Sequence, residues 1–522
     1  MTPSIPACPP AIALPTAAED WATPSRSRRR RRRSSRGKSR TEHSHGNRAY
    51  HAGALRRPMP GEIVAMLAIG SAMALGGGGT SNPLTETILQ PLLALLVALP
   101  LALPRLRTGV APVSRTCLVL AALVLVVPIL QLIPLPPAVW QALPGRDAEI
   151  ASLGLIDAQN AWMPWTMAPA RTFIALLAMV GPVLILPLVA GLGTTGRTWL
   201  CVTIAGMGLA SMVLGVLQLS HAEGLTWSLY PYYNNGKLDG FQANHNAQAD
   251  ILGIALMAFA VGCTALYQIS MRPVLVWSLA ATGLAMAMAA LFLTGSRTGI
   301  ALIPVPVAVF AAILMPTVRG VIGRARPRLI AALVAAATLV MAISGIALMR
   351  LPSVGAVLAR FARLEDSRAD IWTDTLHAIG RVWPFGGGIG SFPVLFNAAE
   401  RLEVVTPVQA GRAHSDWLEW TLEAGLPGLL VLATFLGLVG LLAWRALRSR
   451  EERHAGTRRR GEAQLTRAHT LFACGTLLLL GLHALDDFPI RAMALASLGA
   501  VAIGLLLPVR ERTPDPLSPT AP

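Results

Sequence analysis

Residues 172–219 read TFIALLAMVGPVLILPLVAGL (172–192), GTTGR (193–197) and TWLCVTIAGMGLASMVLGVLQL (198–219). Two apolar runs of 21 and 22 residues are joined by five residues, and the only charge in the stretch, Arg197, lies in the joint. A helix rises about 1.5 Å per residue, so roughly 20 apolar residues cross the ~30 Å hydrocarbon core of a bilayer. A water-facing helix of this length would show polar residues along one side. These runs show none, so the stretch reads as a transmembrane hairpin.

Outward from it, apolar runs of about 17 to 25 residues recur. Spans are predicted at 62–79, 84–104, 116–136, 172–192, 198–219, 247–268, 273–293, 299–316, 329–349, 425–444, 468–486 and 491–508. The fold class is therefore all-α: a polytopic membrane protein of about twelve transmembrane helices with one large outer loop. Several spans contain Pro or Gly, which membrane helices tolerate when neighbours satisfy the freed backbone groups. The first span is the least sharply bounded, because Gly76 to Gly79 already reads as loop.

Composition agrees with this reading. The 522 residues are 53% hydrophobic and only 14% charged, against about 25% charged in soluble domains. The net charge of +17 does not mark a nucleic-acid binder, because 13 of the 44 Lys and Arg precede Met59 and most others lie between apolar runs. Residues 1–58, with arginine unbroken from Arg28 to Arg33, are too polar to form a core and read as a disordered cytoplasmic tail. Residues 509–522 read likewise. Cys8, Cys117, Cys201, Cys263 and Cys474 have neither CxxC nor Cys/His spacing, so neither a disulfide nor a metal role is expected.

Twelve spans put both termini on one side, and the arginine tail makes that side cytoplasmic. Segments then assigned inside hold nineteen Lys and Arg; those outside hold twelve, of which seven lie in the single stretch 350–424. Long loops translocate with little regard to charge, so the count is self-consistent. The expected organisation is a bundle over 62–349 with about nine spans, a periplasmic loop over 350–424, and three spans over 425–508.

Four outer segments carry chemistry. In the large loop, Arg368, Ile371, Trp372, Thr375, Leu376 and Ile379 recur at helical spacing, predicting an amphipathic helix over the bundle. Pro384-Phe385-Gly386-Gly387-Gly388-Ile389-Gly390-Ser391-Phe392 follows, more often a turn than a phosphate cradle. Then come Arg412, His414, Asp416 and Glu419, leading to Glu423 and Gly425. An imidazole there can accept a proton near neutral pH, and arginines can bind phosphate oxygens in bidentate fashion. The second segment, Thr294–Gly299, places Arg297 at the membrane boundary, either as a functional group or as an interfacial anchor. The third runs from Gly240 to Asp250, where Asn244 and His245 can bind sugar hydroxyls or cap and pack helices. The fourth, His483 to Arg491, offers Asp487 and Arg491; a local ion pair within the turn is the plain alternative.

The order of these motifs is recognisable. Ser-Arg-Thr-Gly (296–299), Arg-Ala-Asp-Ile-Trp (368–372), the glycine run, His-Ser-Asp-Trp-Leu-Glu-Trp (414–420), Glu-Ala-Gly-Leu-Pro-Gly (423–428) and His-Ala-Leu-Asp-Asp-Phe-Pro-Ile-Arg (483–491) resemble the O-antigen ligase and polymerase superfamily over roughly residues 62–508. The resemblance implies a GT-C-like glycosyltransferase of the bacterial inner membrane. Such enzymes take glycan from an undecaprenyl-diphosphate carrier on the periplasmic face and pass it to lipid A-core or to another lipid-linked glycan.

The family's loop histidine corresponds to His414 and its arginines to Arg297 and Arg368, which the resemblance implies as the catalytic set. Arg412, Asn244, His245, Arg491, Asp487 and Glu423 are expected to contact substrate. No cofactor, metal or nucleic-acid partner is expected. The stretch from Trp162 to Thr172 leans slightly toward polymerases. A transporter or flippase of lipid-linked glycans is the alternative from another class. Transporter sites, however, lie near the bilayer midplane, often between internal repeats, and neither feature is visible here.

Overall fold

The computed structural model describes residues 56–78, 84–220, 229–230, 236–270, 272–322, 368–405, 407, 409–448 and 457–508. The helices are α1 (Pro60–Leu75), α2 (Leu84–Ala102), α3 (Arg115–Gln131), α4 (Pro137–Trp140), α5 (Asp147–Gly154), α6 (Pro169–Ala190), α7 (Thr194–Ser220) and α8 (His245–Ile269). They continue with α9 (Pro273–Leu293), α10 (Arg297–Ala301), α11 (Pro304–Ile322), α12 (Arg368–Val382), α13 (Phe392–Asn397), α14 (Asp416–Arg448), α15 (Thr457–His483) and α16 (Met493–Leu506). The only described sheet is a two-stranded antiparallel one, β1 (Pro134–Leu135) with β2 (Met163–Pro164), in register Pro134 to Pro164.

Seven helical segments among the described residues are long and apolar enough to cross a membrane, and four shorter apolar helices, α1, α2, α3 and α16, accompany them. Eleven predicted spans thus find a helix; the predicted span 329–349 lies outside the described residues, as do residues 1–55 and 509–522 of the tails. The protein is an all-α polytopic membrane protein.

Helix α8 is the hub. It is almost wholly buried and packs on α7, α9, α11 and α15. Small residues permit the close approach: a Cβ added to Gly208 of α7 would lie 2.2 Å from that of Ala255 on α8, the small-residue contact that lets membrane helices meet. In contrast, α14 is largely exposed along its apolar length, as a helix facing lipid is. Loops assigned inside meet at one end of the bundle, where Val110 pairs with Leu192 and Arg197 donates to the carbonyls of Leu505 and Leu507, each at 2.9 Å. Those arginine contacts cap the end of α16.

Two boundaries and one helix face differ from the sequence reading. First, Arg56, placed in the tail, pairs with buried Glu62 at 2.6 Å and accepts a hydrogen bond from Trp199 at 2.9 Å. Second, α14 begins at Asp416 rather than 425; Gly425 (φ 57°, ψ −158°) kinks it there, dividing an outer portion from the apolar one. Third, the buried face of α12 is rotated from the predicted stripe. Leu376 is 58% exposed, whereas Asp374 and Ala378 are buried. Asp374 can turn inward because Arg401 meets it, with Nε 2.6 Å from Oδ1.

The outer loop has its own small core of Ala378, Val382, Phe392, Phe396, Ala413 and Leu422. The glycine run docks this core onto the bundle. The amides of Gly387 and Gly388 donate to the carbonyls of Leu422 and Glu423 at 3.0 and 2.8 Å, and Ile389 donates to Gln131 at 2.8 Å. A Cβ on Gly388 (φ 102°) would lie 2.0 Å from Thr166 Oγ1. The run is therefore a docking turn against the α14 kink, and these amides are occupied.

Candidate active site

At the end of the bundle opposite the Arg197 cap, the short turn between α15 and α16 meets the loop core. Its two adjacent acids point to different partners. Asp487 Oδ1 lies 3.1 Å from His414 Nδ1, and Asn246 donates to Oδ2 at 2.7 Å. Asp486 Oδ2 lies 2.6 Å from Arg368 Nη1 and accepts a hydrogen bond from the Thr298 hydroxyl. The turn thus ties together α8, α10, α12 and the start of α14.

The backbone presents His414 deliberately. His414 has φ 49°, a left-handed conformation uncommon outside glycine and a frequent companion of functional positions. Contacts on both sides hold it: Ala413 donates to Glu419 and accepts from Trp372 Nε1, at 3.1 and 3.0 Å, and Asp416 donates to Ala484 at 3.0 Å. Phe488 packs edge-on against the imidazole at 5.1 Å, while the side chain stays 33% exposed. With Asp487 holding Nδ1–H, Nε2 is left as the basic nitrogen.

Asp487 suits this role. Burial opposes its ionisation, but the hydrogen bond from His414 and the charges of His414, His483 and Arg368 hold its carboxyl below the usual carboxylate range. Arg297 opens α10 and precedes Thr298, whose hydroxyl meets Asp486.

The local ion pair within the turn does not form, because Arg491 faces α14 instead. It reaches Asp416 at 3.3 Å, Glu423 at 3.0 Å and Glu419 at 3.4 Å. Burial works against its charge, yet these carboxylates, led by Glu419, raise its pKa above the ordinary arginine value. Arg412 pairs with Glu419 at 2.8 Å, and Glu423 accepts from the amides of Gly390 and Phe392 at 2.8 and 3.2 Å. Arg491, Arg412 and Glu423 thus form one internal network beside the His414 turn.

Asn244 caps α8 by accepting from Asn246 at 2.8 Å, and also lines a crevice with Asp487 and His483. His245 has its Nε2 3.3 Å from Lys237 Nζ. Among the described residues, no group of three or more His, Cys, Asp or Glu is arranged to hold a metal ion. The sequence reading missed Asp486, Thr298, Asn246, Asp250 and His483 as site residues. All five lie inside the quoted segments, Asp486, Thr298 and Asn246 directly next to residues that were chosen, and their polarity at helix ends was the signal.

Residues 281–433 match a family model described as O-antigen ligase. No curated protein matches the chain. The matched stretch contains Arg297, Arg368, Arg412, His414 and Glu423; Asn246, Asp486 and Asp487, which hold three of the same contacts, lie outside it.

Proposed function

We propose that this member of the O-antigen ligase superfamily, a multi-pass membrane enzyme of polysaccharide or lipopolysaccharide assembly, is a glycosyltransferase acting on undecaprenyl-diphosphate-linked glycan at the periplasmic face of the inner membrane. The acceptor is lipid A-core or another lipid-linked glycan. One observation carries the reading: a histidine–aspartate pair and an arginine–aspartate pair are held by adjacent residues, Asp487 and Asp486.

Transfer from a diphosphate requires removal of a proton from the acceptor hydroxyl and stabilisation of charge on the departing diphosphate. In this mechanism His414 Nε2 takes the proton while Asp487 fixes the ring and balances the imidazolium. Arg368 and Arg297 bind the diphosphate oxygens, which displace Asp486 from Arg368. Guanidinium groups keep their charge at a partly desolvated boundary, so they serve without a metal. Direct attack by the hydroxyl inverts the anomeric centre. Asn244 and His245 face the glycan, while Arg491, Arg412 and Glu423 position the His414 turn.

In purified protein with lipid-linked donor, His414→Ala abolishes transfer with membrane insertion intact, and Arg368→Lys impairs it because an ammonium lacks the planar fork. A chelator leaves the wild-type rate unchanged. Undiminished turnover by the His414 variant would remove the base role. Deletion separates the finer readings: single repeat units on surface glycolipid indicate a polymerase, and long chains left on the carrier a ligase.

A further inference from the structure

A second histidine–aspartate pair adjoins the first. His483 ends α15 with Nδ1 2.7 Å from Oδ1 of Asp250 on α8, and both side chains are 1% exposed. Their remaining polar atoms, His483 Nε2 and Asp250 Oδ2, are buried and have no hydrogen-bond partner among the described residues. Buried polar atoms are nearly always paired, so two orphans on one pair mark where a protic partner belongs. Both residues line the same crevice as Asp487 and Asn244, as do Gly77 and Gly78. Most of the lining is apolar, but these polar atoms converge on it, and at about 10 Å³ the crevice has room for about one water.

We infer that, as His414 Nε2 takes the acceptor proton, the His483–Asp250 pair receives the Nδ1 proton of His414 by way of Asp487 and water held in this crevice. The inference rests on His414 being the base. As the acceptor oxygen bonds to the sugar, the electron pair of the broken sugar–oxygen bond leaves with the diphosphate, and the proton goes to His414 Nε2. Bound donor and acceptor then cover the open side of His414. The inner route remains: Nδ1–H faces Asp487, and Asp487 faces the crevice. Asp487 is a poor final holder, since both its oxygens already accept hydrogen bonds. His483 Nε2, with Nδ1–H on Asp250, has a lone pair to take the proton. The charged groups that face His483 are Asp250 from α8 and Asp486 and Asp487 from the turn. After product release the proton returns to solvent through His414. His483 is a positioning residue here, acting through His414 rather than on substrate.

The test is steady-state transfer by purified full-length protein with lipid-linked donor. His483→Gln should lower kcat about tenfold or more with donor KM unchanged. The deficit should shrink as imidazole buffer is raised, and the solvent deuterium effect on kcat should grow. A purely structural role predicts neither change, so a loss insensitive to buffer and isotope overturns the relay, as does a wild-type rate. Should His483→Gln fail to insert, the near-isosteric Asp250→Asn is read in the same way. An inactive His414→Ala beside a wild-type-like His483→Gln sinks the relay alone, whereas an active His414→Ala sinks the base and the relay together.

Discussion

Oδ1 of Asp487 lies 3.1 Å from Nδ1 of His414 across 73 positions of sequence. The next residue back, Asp486, holds Arg368 at 2.6 Å. One peptide unit therefore fixes the spacing between the proposed base and the proposed diphosphate clamp, and a shift of the turn moves both.

Replacing Asp487 by Asn keeps the shape but removes the charge that balances an imidazolium. Turnover of lipid-linked donor should fall at least tenfold, by about the margin that general-base positioning contributes. The protein should still reach the membrane. An Asp487→Asn enzyme with unchanged kcat would show that the pair does not serve the chemistry.

The same carboxyl gives stability a pH dependence. Asp487 is held below the ordinary value of about 3.9 that it would have unfolded. The folded state therefore binds its proton less readily than the unfolded state. Its stabilising contribution is complete above that ordinary value and is lost as pH falls through the lower folded value. Thermal unfolding in detergent from pH 7 down to about 3 should show a loss at the acid end that is smaller in Asp487→Asn. Identical acid profiles would contradict the assignment.

Arg491 answers three carboxylates of α14 at once. Removing one member of a buried charge cluster leaves the others uncompensated, at a cost of about 3–5 kcal/mol. Arg491→Ala should lower the thermal midpoint sharply, and Arg491→Lys should fall between it and wild type, since an ammonium cannot span all three. Midpoints measured by tryptophan fluorescence decide this; a variant as stable as wild type would mean the network is not holding the α14 kink.

Two glycines of the outer loop should behave oppositely. Gly388→Ala must accommodate a Cβ 2.0 Å from Thr166 Oγ1 at φ 102°, a strain of about 1–3 kcal/mol before any shift of the docking turn. Gly411 has no atom within 4 Å of its would-be Cβ, so Gly411→Ala should stay within about 0.5 kcal/mol of wild type. Equal midpoints for the two variants would count against the docking turn.

The apolar runs and the helix at Arg368 were legible because they are local properties. A bilayer demands length and the absence of charge, and both can be counted along the chain. Even the break at 425 was legible as the start of a span, although its cause, the Gly425 backbone meeting Pro384 and Gly386, was not. The side chains of the 483–491 turn were not legible. Asp486, Asp487 and Arg491 lie within six positions and could have satisfied one another; instead they went to α12, to the His414 turn and to α14. Which partner each charge meets depends on how far each neighbouring helix is rotated and slid. The same rotation put Asp374 inward and Leu376 outward on α12. By itself the sequence determined that the chain is a membrane protein of many apolar helices and which polar motifs lie between them. Only the packing of α8, α12, α14 and α15 decided which carboxylate holds the histidine and which holds the arginine, because those contacts form between helices whose mutual register no single helix encodes.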